Sequence, residues 1–176
     1  MWRPAYQGSL DGLCGLYAMA NALWICGYDD GEAVLREAAK GLPKSRWPDA
    51  LFGTYFADMQ RIARHLRTAN GFERVRIRFP FARNTPRSDA EYWVRFDALF
   101  EQPDARCAII GIEDPWQHWI VAGPDGTRIQ LMDSTAENQL VRKNRKSLHA
   151  GSRGRKSAQW LINPRQLILF SLSAEK

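Results

Sequence analysis

Residues 107–133 read CAIIGIEDPWQHWIVAGPDGTRIQLMD, and this stretch decides the fold class. Three short apolar runs, Cys107 to Ile112, Trp119 to Ala122 and Arg128 to Met132, are bounded by turn-forming residues, as strands are. The Gly123-Pro124-Asp125-Gly126 turn joins the second run to the third, which predicts a hairpin and hence antiparallel pairing. A further strand is expected at Leu167 to Leu172.

Upstream of this stretch the period changes. After a turn-like Gln7-Gly8-Ser9-Leu10-Asp11-Gly12, the residues Leu13, Leu16, Tyr17, Met19, Ala20, Leu23 and Trp24 recur at helical spacing up to Gly27, which predicts a buried helix entered through a tight turn. Asp29-Asp30-Gly31 opens a second helix, Glu32 to Lys40, and Gly41-Leu42-Pro43 stops it. A third helix is expected over Leu51 to Thr68, where Phe56, Met59, Ile62, Ala63 and Leu66 share one face. Val75, Ile77 and Phe79 alternate with Arg74, Arg76 and Arg78 as in a strand with one wet face, and Pro80 closes it. Ser88 to Phe100 reads as a helix with Ser88 as cap and Glu91 three residues on. Helices first and an antiparallel sheet second is the arrangement of an α+β domain, with N-terminal helices packed on a C-terminal sheet.

The chain has 176 residues, 45% of them hydrophobic, which is enough for a real core and suits one domain over 1–176. No apolar run approaches a bilayer span, and no apolar signal core follows Met1-Trp2-Arg3, so a cytoplasmic home, or delivery by a specialised secretion machine, is expected. Three cysteines without CxxC spacing argue against a disulfide framework and against zinc, and no cofactor is expected. The net charge of +6 is concentrated in part at Arg142, Lys143, Arg145, Lys146, Arg153, Arg155 and Lys156. Gly, Ser and Asn in that stretch predict a solvated loop. Its lack of interleaved aromatics argues against nucleic acid, and leaves an acidic protein as the partner it would attract.

The chemistry starts from Cys14. A thiol is a useful nucleophile as thiolate, which an imidazolium or a helix N-terminus favours, and Cys14 follows a glycine-containing turn at the start of the first helix. Gly15 next to it is expected to let a substrate backbone come close. Of three histidines, His118 heads a strand after Asp114-Pro115-Trp116-Gln117 and is the expected base, whereas His65 and His149 read as solvent-facing. Asp133 ends the strand that pairs with the His118 strand. It falls roughly opposite His118 and is the expected orienter of the ring. The Gln7 amide, upstream of Cys14, is a candidate second donor to a tetrahedral oxyanion beside the Cys14 N–H. Cys26 and Cys107 read as core, and at least one of Trp116 and Trp119 is expected to shape the cleft.

Gln7, the run Asp11-Gly12-Leu13-Cys14-Gly15-Leu16 opening a helix, His118-Trp119-Ile120-Val121 and Leu131-Met132-Asp133-Ser134 together resemble the papain-like cysteine peptidase superfamily. Within it they are most similar to the bacteriocin-leader-processing peptidases of export transporters and their free-standing relatives. The resemblance covers the ends of the chain and not Gly31 to Gln102, and the gap between Gln7 and Cys14 is one residue longer than is usual there. It implies a papain-like fold with Cys14 as nucleophile, His118 as base, Asp133 as orienter and Gln7 as oxyanion donor. It implies hydrolysis of a peptide, isopeptide or side-chain amide bond in a protein or peptide substrate through an acyl-enzyme. The same triad serves glutamine deamidation and transglutamination. A catalytically silent binding or immunity-type module on the same fold is the rival from a different class.

Overall fold

In the computed structural model, residues 12–135 and 140–173 are described. Gln7 lies outside them. The helices are α1 Cys14–Ile25, α2 Gly31–Lys40, α3 Trp47–Ala50, α4 Phe56–Leu66 and α5 Asp89–Phe100. The strands are β1 Val75–Arg78, β2 Ala105–Asp114, β3 His118–Asp125, β4 Arg128–Met132, β5 Leu140–Asn144, β6 Leu148–Ala150 and β7 Trp160–Leu172. They form one seven-stranded sheet in the order β1-β7-β2-β3-β4-β5, with β6 alongside β7. The β6–β7 pair is parallel and every other pair antiparallel, so the chain is α+β, as its period change implies.

Two-residue periodicity explains why β2 and β3 read as continuous apolar runs: both faces of the sheet are covered. Cys107, Ile109, Trp119 and Val121 join the core formed with α1, α2 and α4. Ala108, Ile110, Ile112, Ile120 and Ala122 join a second core with Tyr92 and Phe96 of α5. Helix α1 has buried residues at nearly every position from Cys14 to Leu23, so it is a core helix rather than an amphipathic surface one. Cys26 and Cys107 are both buried in this core. Among the described residues no helix is long and apolar enough to cross a membrane.

Local signals hold in several places. Asp30 caps α2 by accepting from the Ala33 N–H at 3.0 Å. Ser88 caps α5 by accepting from the Glu91 N–H at 3.1 Å.

Four expectations need correction. The third helix begins at Phe56 and not at Leu51, because the Asp58 carboxylate accepts from the Tyr55 N–H at 3.1 Å and starts the helix there, leaving 51–55 as a loop. The hairpin turn lies at Gly126-Thr127, with Asp125 still paired to Arg128, and Gly126 takes a φ of 58°, which glycine tolerates best. The basic stretch is not a free loop: β5 pairs with β4, and β6 pairs with β7. Its charges find partners from distant elements, Arg145 on Asp97 at 2.6 Å, Arg142 on Asp125 at 3.2 Å, Arg155 on Asp114, and Lys143 over the Trp160 ring. The two remaining histidines are not simply solvated. His65 is half-buried against Glu37 at 2.7 Å, and the buried His149 bonds the Arg153 carbonyl at 2.8 Å.

Candidate active site

Three segments meet at the N-terminal end of α1, and Thr54 ties them together. Its hydroxyl accepts from the Gly15 N–H at 3.2 Å, and its carbonyl accepts from the Trp119 indole N–H at 2.7 Å. The Gly12 N–H adds a bond to the Leu51 carbonyl at 2.6 Å. The loop 51–55 is thereby fixed between the start of α1 and the start of β3. The role expected for Gly15 changes accordingly. A Cβ there would lie 2.2 Å from Thr54 Oγ1 and 2.5 Å from Met59 Sδ, so the missing side chain makes room for the protein's own loop and not for a substrate. The Thr54→Val variant keeps the shape and strands a buried N–H. This is expected to cost about 1–2 kcal/mol, a fall of about 3–8 °C in Tm by thermal melting.

Between these segments lies a cleft of about 180 Å³, lined by Cys14, Phe52, Tyr55, His118, Trp119 and Gln166 among others. Cys14 is 7% exposed and His118 6%. Phe52 and Tyr55, at 91% and 65% exposed, form an apolar wall open to solvent. Trp119 lines the cleft while Trp116 packs edge-on against Trp160, which meets the expectation that one of the pair shapes it. A larger cavity of about 560 Å³ sits at the other end of α1, around Trp24, Cys107, Val121 and Met132, and among the described residues no histidine or carboxylate lines it.

The structure brings the cysteine, histidine and aspartate together. His118 Nε2 donates to Asp133 Oδ1 at 2.9 Å, and the Cys14 thiol group interacts with the same ring by a side-chain hydrogen bond and by charge. With Nε2 engaged by Asp133, Nδ1 is the ring nitrogen left for sulfur. The pairing of Val121 with Met132 places Asp133 diagonal to His118 across the two strands rather than directly opposite, still within side-chain reach. Asp133 Oδ1 also accepts from the Thr135 N–H at 2.9 Å and from Thr135 Oγ1 at 2.7 Å, so the carboxylate is itself held in place.

The electrostatics follow from this geometry. Burial works against a charged His118, but the bonds to Asp133 and Cys14 outweigh it and raise its pKa from 6.5 to about 9. Burial likewise works against a charged Asp133, and the bonds from His118 and Thr135 outweigh it and lower its pKa from 3.8 to about 2. At neutral pH the pair is therefore imidazolium and carboxylate. A raised histidine stabilises the fold below its unfolded value of 6.5, and that contribution is lost as pH rises through about 9. A depressed aspartate stabilises the fold above 3.8, and that contribution is lost as pH falls through about 2. The other two thiols have no such setting. Burial, and next the neighbouring Cys26, push the Cys107 thiol well above its ordinary value.

The Cys14 N–H, first of α1, has no intrahelical acceptor, and among the described residues nothing takes it up, so it can serve an oxyanion formed at the sulfur. Among the described residues no cluster of histidine, cysteine and carboxylate side chains is arranged to hold a metal ion. Sequence reasoning missed Thr54 and Gln166. Thr54 sits beside Gly53, a loop signal inside what reads as a helix. Gln166 follows Asn163-Pro164, a turn signal inside what reads as the approach to a strand. Comparison with family models, with curated proteins and with solved structures returns no match for this chain.

Proposed function

We propose that the chain is a cysteine hydrolase of the papain-like kind, cleaving a peptide, isopeptide or side-chain amide bond through a thioester acyl-enzyme. The observation that carries the reading is the His118 ring held between the Cys14 thiol and the Asp133 carboxylate at the wall of a cleft. A raised imidazolium beside a cysteine favours thiolate, the form that attacks a carbonyl carbon.

In the first half-reaction Cys14 Sγ adds to the carbonyl, the Cys14 N–H supports the oxyanion, and the imidazolium passes its proton to the leaving amine. The neutral imidazole then takes a proton from water, hydroxide attacks the thioester, and the carboxylic acid leaves as the thiolate and imidazolium re-form. Asp133 stays ionised throughout and holds the ring's tautomer and angle. Solvent-facing Phe52 and Tyr55 suit a substrate that brings apolar side chains, and a protein or peptide is the class that does so.

The test is competitive alkylation. Limiting iodoacetamide near neutral pH is expected to modify Cys14 at least about tenfold faster than Cys26 or Cys107, read by peptide mass mapping. Equal sluggishness of the three thiols defeats the reading.

A further inference from the structure

Strand β7 carries a bulge opposite the catalytic cleft. Ile110 pairs with Leu167 and Ile112 with Ile162, so Gly111 of β2 stands against the whole segment Asn163–Gln166. Most of that segment serves its own geometry. Asn163 donates to the Glu113 carboxylate and accepts from the Arg165 N–H at 2.9 Å. Pro164 has no N–H for a ladder to miss, and Arg165 Nε bonds the Ala82 carbonyl at 3.2 Å.

Gln166 is different. Its side chain lies over Gly111, where a Cβ would come within 2.1 Å of Gln166 Oε1, so glycine at 111 is what lets the amide occupy that space. The residue lines the same cleft as Cys14, His118 and Trp119, and among the described residues its carboxamide makes no hydrogen bond. An unspent donor and acceptor in one plane, at the wall of a cleft holding the nucleophile, match the C=O and N–H of a secondary amide.

Resting on the reading above, we propose that Gln166 is a substrate-binding residue that grips the peptide unit next to the bond Cys14 attacks, and that Gly111 is the seat that positions it. The interaction is ground-state binding, so it acts on affinity for substrates with a peptide backbone and not on the reactivity of sulfur.

The experiment compares two electrophiles on Cys14: iodoacetamide, which has no peptide backbone, and the fastest member of a set of benzyloxycarbonyl-dipeptidyl fluoromethyl ketones. Gln166→Ala and the bulk-preserving Gln166→Leu are each expected to slow the peptidyl reagent about tenfold through a higher KI, the loss of one or two hydrogen bonds. The iodoacetamide rate stays within about twofold, since nothing at sulfur changes. Gly111→Ala is expected to give the same loss in the native background and no further loss in Gln166→Ala, because both act through one amide. The proposal is overturned if neither Gln166 variant slows the peptidyl reagent, if both reagents slow in parallel, or if no peptidyl reagent outpaces iodoacetamide on the native chain. Failure of the hydrolase reading is separate and shows earlier, as an absence of preference for Cys14 among the three thiols.

Discussion

Exchange of His118 for alanine is expected to slow the alkylation of Cys14 by iodoacetamide at least about tenfold between about pH 6 and pH 8, read as the ratio of the variant's rate to that of the native chain. Only thiolate reacts with iodoacetamide. In the native chain an imidazolium stands beside the sulfur over this whole range, because the Asp133 and Cys14 contacts hold the His118 pKa near 9. Without the ring, no described residue of the cleft wall replaces its positive charge: Phe52 and Trp119 carry none, Glu113 carries the opposite one, and the Gly15 N–H of the helix start is already bonded to Thr54. On the proposed reading, turnover of an acyl substrate would fall with it, because a nucleophile and its base act as a unit. The loss for His118→Ala should match that for Cys14→Ala, and the double variant should be no worse. An alkylation rate that survives unchanged in His118→Ala would show that the ring does not govern the sulfur.

On the proposed hydrolase reading, substitution of Asp133 by asparagine is expected to cost up to about four orders of magnitude in turnover while leaving Cys14 in place and the fold intact, as loss of the orienting carboxylate does in Cys or Ser triads. The direction of the accompanying pH change is fixed by the balance at His118. Burial lowers its pKa and Asp133 is the largest opposing influence, so removing the carboxylate brings it down from about 9. An imidazole titration followed by NMR reads this directly. The upper limb of any pH–rate profile moves to lower pH with it. Stability shifts in the same sense: the native chain loses Tm as pH is raised from about 7 to 9.5, and Asp133→Asn loses less over that interval, having no His118–Asp133 ion pair to break. An unmoved His118 titration in the variant would mean that the 2.9 Å contact does no electrostatic work.

How far the site was legible differs residue by residue. Cys14, His118 and Asp133 announce themselves because each sits at a junction the local text marks, a turn before a helix, a strand head after Asp114-Pro115, and a strand end before Ser134. Their union across long separations in the chain rests on two antiparallel pairings and one helix laid on the sheet. The register was nearly legible too, though the hairpin turns at Gly126-Thr127 and carries Asp133 to the diagonal position. Gly15 was misread for a simple reason: a glycine beside a nucleophile looks the same whether substrate or the protein's own Thr54 comes close.

The order of residues alone settled where the period changes from helix to strand, which residues bound α1, α2 and α5 to within a residue or two, and which three side chains have the right chemistry at the junctions between elements. Such properties are local, arising from φ/ψ preferences, capping and the alternation of apolar side chains over a few residues. The tertiary structure decided the rest: that loop 51–55 and not a helix borders the sulfur, that the basic stretch pairs as β5 and β6, and that Gln166 reaches the cleft over Gly111. Those outcomes depend on hydrogen bonds and charge pairs between segments far apart in the chain, Thr54 with Gly15 and Trp119, Arg145 with Asp97, Asn163 with Glu113, whose partners no window of neighbouring residues contains.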